Sequence, residues 1–245
     1  MIKLVFVNKN CQKNSFTDKI GKDTNLYKHL TEPKSENVRR ERFLAYSSLL
    51  YLLDKLYGYT PCDISFSSKP HAIPERAGFS FNISHTDGAT VIAFSDRYEN
   101  IGVDIEGLID KKRAENLSSR FLNFENEPNS NSALFEKISF FTLDEKDGGE
   151  LVLRKLNLND NIKNTATIQE SEKILQEEIS LIFPENPSEA HEATSKFTLL
   201  ESALKCEGGG FASFNKADEI LSKASSYSGW FKIGGREYSL SVSVL

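Results

Sequence analysis

The amino-acid sequence predicts an α+β fold, and three observations carry that prediction. Short runs of strand-forming residues follow one another with turns between them, so neighbouring strands can pair directly. Helical periodicity is confined to a few separate stretches and does not alternate regularly with the strands. The Asp-Gly pairs at Asp87-Gly88 and Asp147-Gly148 are turn signals, because glycine accepts a positive φ; the second predicts a hairpin.

Each element follows from its own pattern. Ile2 to Val7 reads as a first strand. Residues 42–57 read as a helix, since Phe43, Tyr46, Leu49, Leu50, Leu53 and Leu56 recur at helical spacing and Gly58 is a good stop. Strands are then expected at Cys62–Ser67, Phe79–Ser84, Ala89–Ser95 and Ile101–Glu106, followed by a helix over 111–122. Asn123–Ser132 is polar and reads as a loop. Leu134–Leu143 and Glu150–Leu156 form the expected hairpin around Asp147-Gly148-Gly149, and Asn157–Thr167 reads as exposed. Helices are expected over 168–183 and 194–206, with a loop at Pro184–Glu189 and Gly208-Gly209-Gly210 after the second. Strands near 211–214, 229–233 and 237–244 complete the chain.

A length of 245 residues suits one large domain or two smaller ones, and 39% apolar with 11% aromatic residues suffices for a core. The net charge of −5 argues against general nucleic-acid affinity. Two local basic runs, Arg39-Arg40 with Arg42 and Lys111-Lys112-Arg113, could hold phosphates or lie on solvated helix faces. Cys11, Cys62 and Cys206 are far apart and odd in number, which speaks for a reducing compartment and against a zinc site. The start, MIKLVFVNKN, lacks the apolar core of a signal peptide, and no run has the length of a membrane span. The expectation is a cytoplasmic, monomeric protein that binds neither membrane nor nucleic acid.

Three segments carry chemistry. In Phe81-Asn82-Ile83-Ser84-His85-Thr86 a strand ends in a hydroxyl and an imidazole, which could present donors to a phosphate or merely cap a turn. In Ile101-Gly102-Val103-Asp104-Ile105-Glu106, Asp104 and Glu106 stand two apart and share a strand face. Two carboxylates on one face repel unless a cation lies between them, and Mg2+ takes one or two carboxylates together with phosphates and waters. The alternative is a solvated acidic edge. In Phe197-Thr198-Leu199-Leu200-Glu201-Ser202-Ala203-Leu204-Lys205, Glu201 and Lys205 are neighbours on a helix and could be an ordinary ion pair.

Taken in order, these segments resemble the Sfp-type 4'-phosphopantetheinyl transferases. That family shows Gly-Lys-Pro, Phe-Asn-x-Ser-His, Ile-Gly-x-Asp-x-Glu and Trp-x-x-Lys-Glu-x-x-x-Lys. Lys69-Pro70 matches the first with Ser68 for glycine, and Phe81 to His85 and Ile101 to Glu106 match the next two fully. Glu201 and Lys205 match the last, with Phe197 for tryptophan and Leu200 for the first lysine. Arg42 matches the arginine that opens the family's first long helix. The likeness covers residues 36–122 and 190–215 well. Glu106 and Glu201 stand 95 positions apart, further than is usual in the family, which places an insertion within 123–195.

The resemblance implies a pseudo-dimer of two similar α+β halves, 1–107 and 108–245, with coenzyme A in a cleft between them. It implies Mg2+ on Asp104, Glu106 and Glu201, and coenzyme A held by Arg42, Lys69, Ser84 and His85. Glu201 and Lys205 would be the catalytic pair. The implied reaction moves 4'-phosphopantetheine from coenzyme A to a serine of an apo acyl or peptidyl carrier protein and releases 3',5'-ADP. A catalytically impaired member that only binds coenzyme A or the carrier is the alternative, favoured by Leu200 and by the insertion.

Overall fold

The computed structural model describes residues 1–7, 24–59, 80–121, 132–145, 151–156, 158 and 179–245. The strands are β1 (Ile2–Val7), β2 (Ser80–Thr86), β3 (Ala89–Ser95), β4 (Ile101–Gly107), β5 (Ile138–Glu145), β6 (Leu151–Leu156), β7 (Ile179–Ile182), β8 (Ser225–Ile233) and β9 (Arg236–Val244). The helices are α1 (Asn25–Thr31), α2 (Glu36–Tyr57), α3 (Lys111–Phe121), α4 (Ser132–Phe135), α5 (Glu189–Glu207) and α6 (Ala217–Lys223). The fold is α+β. No helix among the described residues is long and apolar enough to cross a membrane.

The strands form two sheets. The first has the order β2-β3-β1-β5-β6, and the second has the order β4-β9-β8-β7. All described pairings are antiparallel except that of β1 with β5. Strand alternation decides what each face buries. Ile2, Leu4 and Phe6 of β1 join Val91, Val103, Leu240 and Val242 in one apolar layer shared by both sheets. Phe231 closes it, with its ring 5.5 Å from that of Phe6 and 5.8 Å from that of Phe140. Val5 and Val7 point the other way, onto Leu49, Leu50 and Leu53 of α2. Beyond the second sheet, Leu200 and Leu204 of α5 pack with Ala114 of α3 and with Ile220 and Leu221 of α6.

One arrangement occurs twice. β1 is followed by α2 and then by the hairpin β2–β3, and it pairs antiparallel with β3. β4 is followed, further along, by α5 and the hairpin β8–β9, and it pairs antiparallel with β9. β5 and β6 extend the first sheet and β7 extends the second. Strands from both sides of residue 107 therefore enter both sheets.

The strands at β1, β3, β4 and β9 fall where periodicity puts them, and β5–β6 is an antiparallel pair. Other elements differ. The first long helix begins at Glu36, a turn and a half before residue 42, and α1 precedes it. Residues 179–182, expected at the end of a helix, are strand β7, because the edge of β8 offers them a ladder. The expected strand at 211–214 is part of a 3-10 turn, Gly210–Lys216, in which Phe211 and Phe214 pack against Phe121. Leu134 lies in α4 and β5 starts only at Ile138. The strand at 62–67, the loop at 123–131, the hairpin turn at 147–149 and the segment 168–178 lie outside the described residues.

Candidate functional site

The site forms where β2 of the first sheet runs beside β4 of the second. Alternation along β2 sends Phe81 and Ile83 toward α2, and sends Asn82, Ser84 and Thr86 toward β4. Among the described residues no strand pairs with the outer edge of β4, whose residues Val103 and Ile105 are buried. Side chains replace the missing ladder: Val103 N–H donates to Asn82 Oδ1 at 3.1 Å, and Ile105 N–H donates to Ser84 Oγ at 3.3 Å. The turn that returns the chain from β2 to β3 needs glycine at 88, where φ is +95°.

Along β4, Val103 and Ile105 enter the inter-sheet layer, so Asp104 faces α5. The helix lies close because position 102 is glycine. A Cβ there would sit 1.9 Å from the Ser202 carbonyl oxygen and 2.5 Å from the Cys206 nitrogen. Helix α5 starts at Ser188, whose hydroxyl accepts from the His191 N–H while His191 Nδ1 accepts from the Ser188 N–H. Its one-turn spacing then places Glu201 and Lys205 beside Asp104.

Lys205 is the hub. Its Nζ donates to Asp104 Oδ1 at 2.6 Å, to Ser84 Oγ at 3.3 Å and to the Val103 carbonyl at 3.4 Å. Glu201 Oε2 lies 3.4 Å from the same nitrogen. Ser84 Oγ donates in turn to Asp104 Oδ1 at 2.8 Å. Asp104 is 4% exposed, so its carboxylate is held by hydrogen bonds and not by water. Burial and the like charge of Asp104 push the Glu201 carboxyl up to about 6. Burial pulls the Lys205 ammonium down, but Asp104 and Glu201 outweigh it and the net shift is upward.

Glu106 stands on the same strand face, one step along. Thr86 Oγ1 donates to its Oε1 at 3.1 Å, and Arg113 Nη2 donates to its Oε2 at 3.3 Å. His85 points to the opposite side of β2 from Ser84, with Nδ1 3.6 Å from Glu41 Oε2 of α2. Arg42 Nη1 donates to the His29 carbonyl at 2.9 Å and ties α2 to α1, with Glu32 4.0 Å away. Ser84, Asp104, Glu201 and Lys205 are therefore gathered from three segments into one cluster, and Glu106 adjoins it. Arg42 and His85 stand on the α2 side. Lys69 lies outside the described residues.

The chain matches no family model and no curated protein. The donor set suits a hard divalent cation in part. Asp104 and Glu201 supply converging carboxylate oxygens, and the Lys205 ammonium between them marks a place where positive charge is stable. Among the described residues, no group of three or more His, Cys, Asp or Glu side chains is gathered tightly enough to hold a metal ion. Glu106 is the carboxylate that falls short, turned to Arg113 and Thr86.

Leu200 is fully buried among Leu204, Ala203 and Phe197, so position 200 faces the packing of α5 and not the cluster. The sequence places Asn82 and Thr86 in a chemistry-bearing segment without a role of their own, and offers Arg113 to a phosphate, whereas in the structure it pairs with Glu106. The polar face Asn82-Ser84-Thr86 opposite Phe81-Ile83 was the signal available for the first two.

Proposed function

We propose that the chain is an Sfp-type 4'-phosphopantetheinyl transferase, acting on coenzyme A and the serine of an apo acyl or peptidyl carrier protein. One observation carries this reading: Ser84, Asp104 and Glu201, from three separate motifs of the family's pattern, meet around Lys205 Nζ, which belongs to the same motif as Glu201. The two-fold recurrence of lead strand, long helix and hairpin supports the reading of the fold as a pseudo-dimer of two α+β halves with a cleft between them.

In this reading Asp104 and Glu201 would hold Mg2+, with Glu106 joining once Arg113 releases it. When bound, Mg2+ would neutralise charge on the pyrophosphate and on the departing phosphate. The carrier serine oxygen attacks the phosphorus next to the pantetheine, forming a new P–O bond. The P–O bond to 3',5'-ADP breaks, and ADP leaves with its electron pair. Glu201 takes the serine proton, directly or through a water, as the general base beside the reacting phosphate. Lys205 stabilises negative charge at the reacting phosphate. Arg42, Lys69 and His85 would hold the phosphates of coenzyme A, where the guanidinium's planar fork makes paired charge-assisted bonds, and Ser84 would join them only on releasing Asp104.

The second reading, a protein that binds coenzyme A or a carrier without transfer, draws on the Lys205–Asp104 contact of 2.6 Å, which fills the carboxylate pair with a side chain of the protein itself. Incubation of apo carrier proteins with coenzyme A and Mg2+, followed by mass spectrometry, separates the two. Transfer adds one phosphopantetheine to the carrier. Tight coenzyme A binding with no mass change would establish the binder, and no binding at all would remove both readings.

A further inference from the structure

We propose that a buried seam of hydroxyls between α5 and the β8–β9 hairpin is a register lock, in which Thr198 and Ser202 are positioning residues that hold Glu201 and Lys205 over Asp104. On β9, Tyr238, Leu240, Val242 and Val244 enter the inter-sheet layer, which leaves Ser239, Ser241 and Ser243 facing the helix. All three serines, together with Thr198 and Ser202, are wholly buried. A helix packed on a sheet normally does so through apolar side chains, whose attraction is non-directional and tolerates small slips. Here the contact is made of one-to-one bonds. Thr198 Oγ1 lies 2.9 Å from both Ser239 Oγ and Ser241 Oγ, and Ser202 Oγ lies 2.8 Å from Ser243 Oγ. Ser226 and Ser228 of β8 extend the seam to Ser243 and Ser241.

The hydroxyl inventory allows one complete assignment of these bonds. Each hydroxyl has one proton to donate and two lone pairs to accept. Thr198 donates to the Ser195 carbonyl at 3.1 Å, and Ser202 donates to the Leu199 carbonyl at 2.9 Å. In that assignment both helix hydroxyls accept from β9. Ser239 and Ser241 donate to Thr198, and Ser243 donates to Ser202. Ser228 and Ser226 in turn donate to Ser241 and Ser243. Every proton is used once, and Thr198 accepts at both lone pairs. A shift of α5 by one residue would break all three helix–strand bonds together and strand their partners in a dry interface. Gly102 presses on the same helix from β4, with its missing Cβ against the Ser202 carbonyl. Thr198 and Ser202 are four apart, as are Glu201 and Lys205, so the locked face and the cluster-forming face run side by side along α5.

The kinetic arm of the test rests on the transferase reading, whereas the spectroscopic arm does not. In Thr198→Val, which keeps shape and removes the hydroxyl, kcat for transfer should fall on the order of tenfold with the KM for coenzyme A little changed, because displacement of catalytic groups acts on the chemical step. The Lys205 ammonium, paired with Asp104, is expected to give a slowly exchanging 15N resonance in the parent, which should broaden or vanish in the variant. Thr198→Ser, which keeps the hydroxyl, should restore both. A variant with a lowered Tm but parental kcat and an intact ammonium resonance would overturn the proposal and leave the seam as packing. If Thr198→Val does not fold, Ser239→Ala removes one of the two donors to Thr198 and is read by the same measurements. A parent that transfers nothing would sink the transferase reading, while the ammonium resonance would still decide the register lock.

Discussion

Helices α2 and α5 occupy corresponding places, each between a lead strand and a hairpin, yet they meet their sheets through different chemistry. Beneath α2 the contact is apolar: Leu49, Leu50 and Leu53 against Val5, Val7, Ile92 and Phe94. Its buried serines, Ser47 and Ser48, find no hydrogen-bond partner among the described residues. Beneath α5 the contact is hydroxyl on hydroxyl, all of them paired, and the apolar side chains of that helix turn outward to α3 and α6. The difference teaches that repetition of topology does not carry repetition of chemistry. The apolar contact supplies stability and tolerates adjustment. The polar contact fixes one register, and the charged cluster sits on that helix.

The comparison can be broken most directly at Asp104. Removing Asp104 leaves buried Lys205 with only its longer contact to Glu201, so Asp104→Ala should abolish transfer and cost about 3 kcal/mol in a urea titration. A variant that transfers at the parental rate would end the assignment of Asp104 to the site. On the apolar side, Leu50→Ala should cost about 3 kcal/mol by leaving a cavity under α2. Its kcat should stay near parental, since that contact sets no register at the cluster; an equal loss of kcat would erase the contrast between the two helices.

Gly102→Ala sharpens the same contrast. The new Cβ meets backbone of α5, which cannot rotate away, so a loss of about 2 kcal/mol is expected from overpacking, with kcat falling as well. A change in Tm with unaltered kcat would show that α5 moves without consequence.

The pH dependence comes next. An unperturbed glutamate titrates at 4.5, whereas Glu201 in the folded state is raised to about 6. Between these values the folded chain binds more protons than the unfolded one. The contribution to stability is therefore complete below pH 4.5 and is lost as the pH rises through 6, by about 2 kcal/mol in all. Glu201→Gln should lack this loss, so the difference in unfolding free energy between parent and variant should change with pH over that window. A difference that stays constant would contradict the burial of Glu201.

The smallest effect belongs to Arg113. Its pair with Glu106 is half exposed, so Arg113→Ala should cost no more than about 0.5 kcal/mol. If Glu106 serves the cation, activity at limiting Mg2+ should hold or improve, and a sharp loss would assign Arg113 a part of its own.

Local patterns carried much of this molecule. Runs of strand-forming residues in Ile2–Val7, Ala89–Ser95 and Ile101–Glu106 mark strands, and the spacing of Leu49, Leu50 and Leu53 marks the buried face of α2. These features are written in neighbouring residues, and the physics that reads them is equally short-ranged. The same holds for Asp104 and Glu106 on one strand face and for Glu201 with Lys205 on one helix face. Tertiary contacts decided the rest. Residues 179–182 became a strand because β8 had an edge to offer, and 211–214 became a 3-10 turn because Phe211 and Phe214 found Phe121. Lys205 chose Asp104 across 101 positions, and Thr198 met Ser241 across 43. A serine in a sequence reads as polar and exposed. Whether it lies at the surface or locks a helix in place depends on what the fold brings opposite it, because a buried hydroxyl is tolerated only where another group completes its hydrogen bonds.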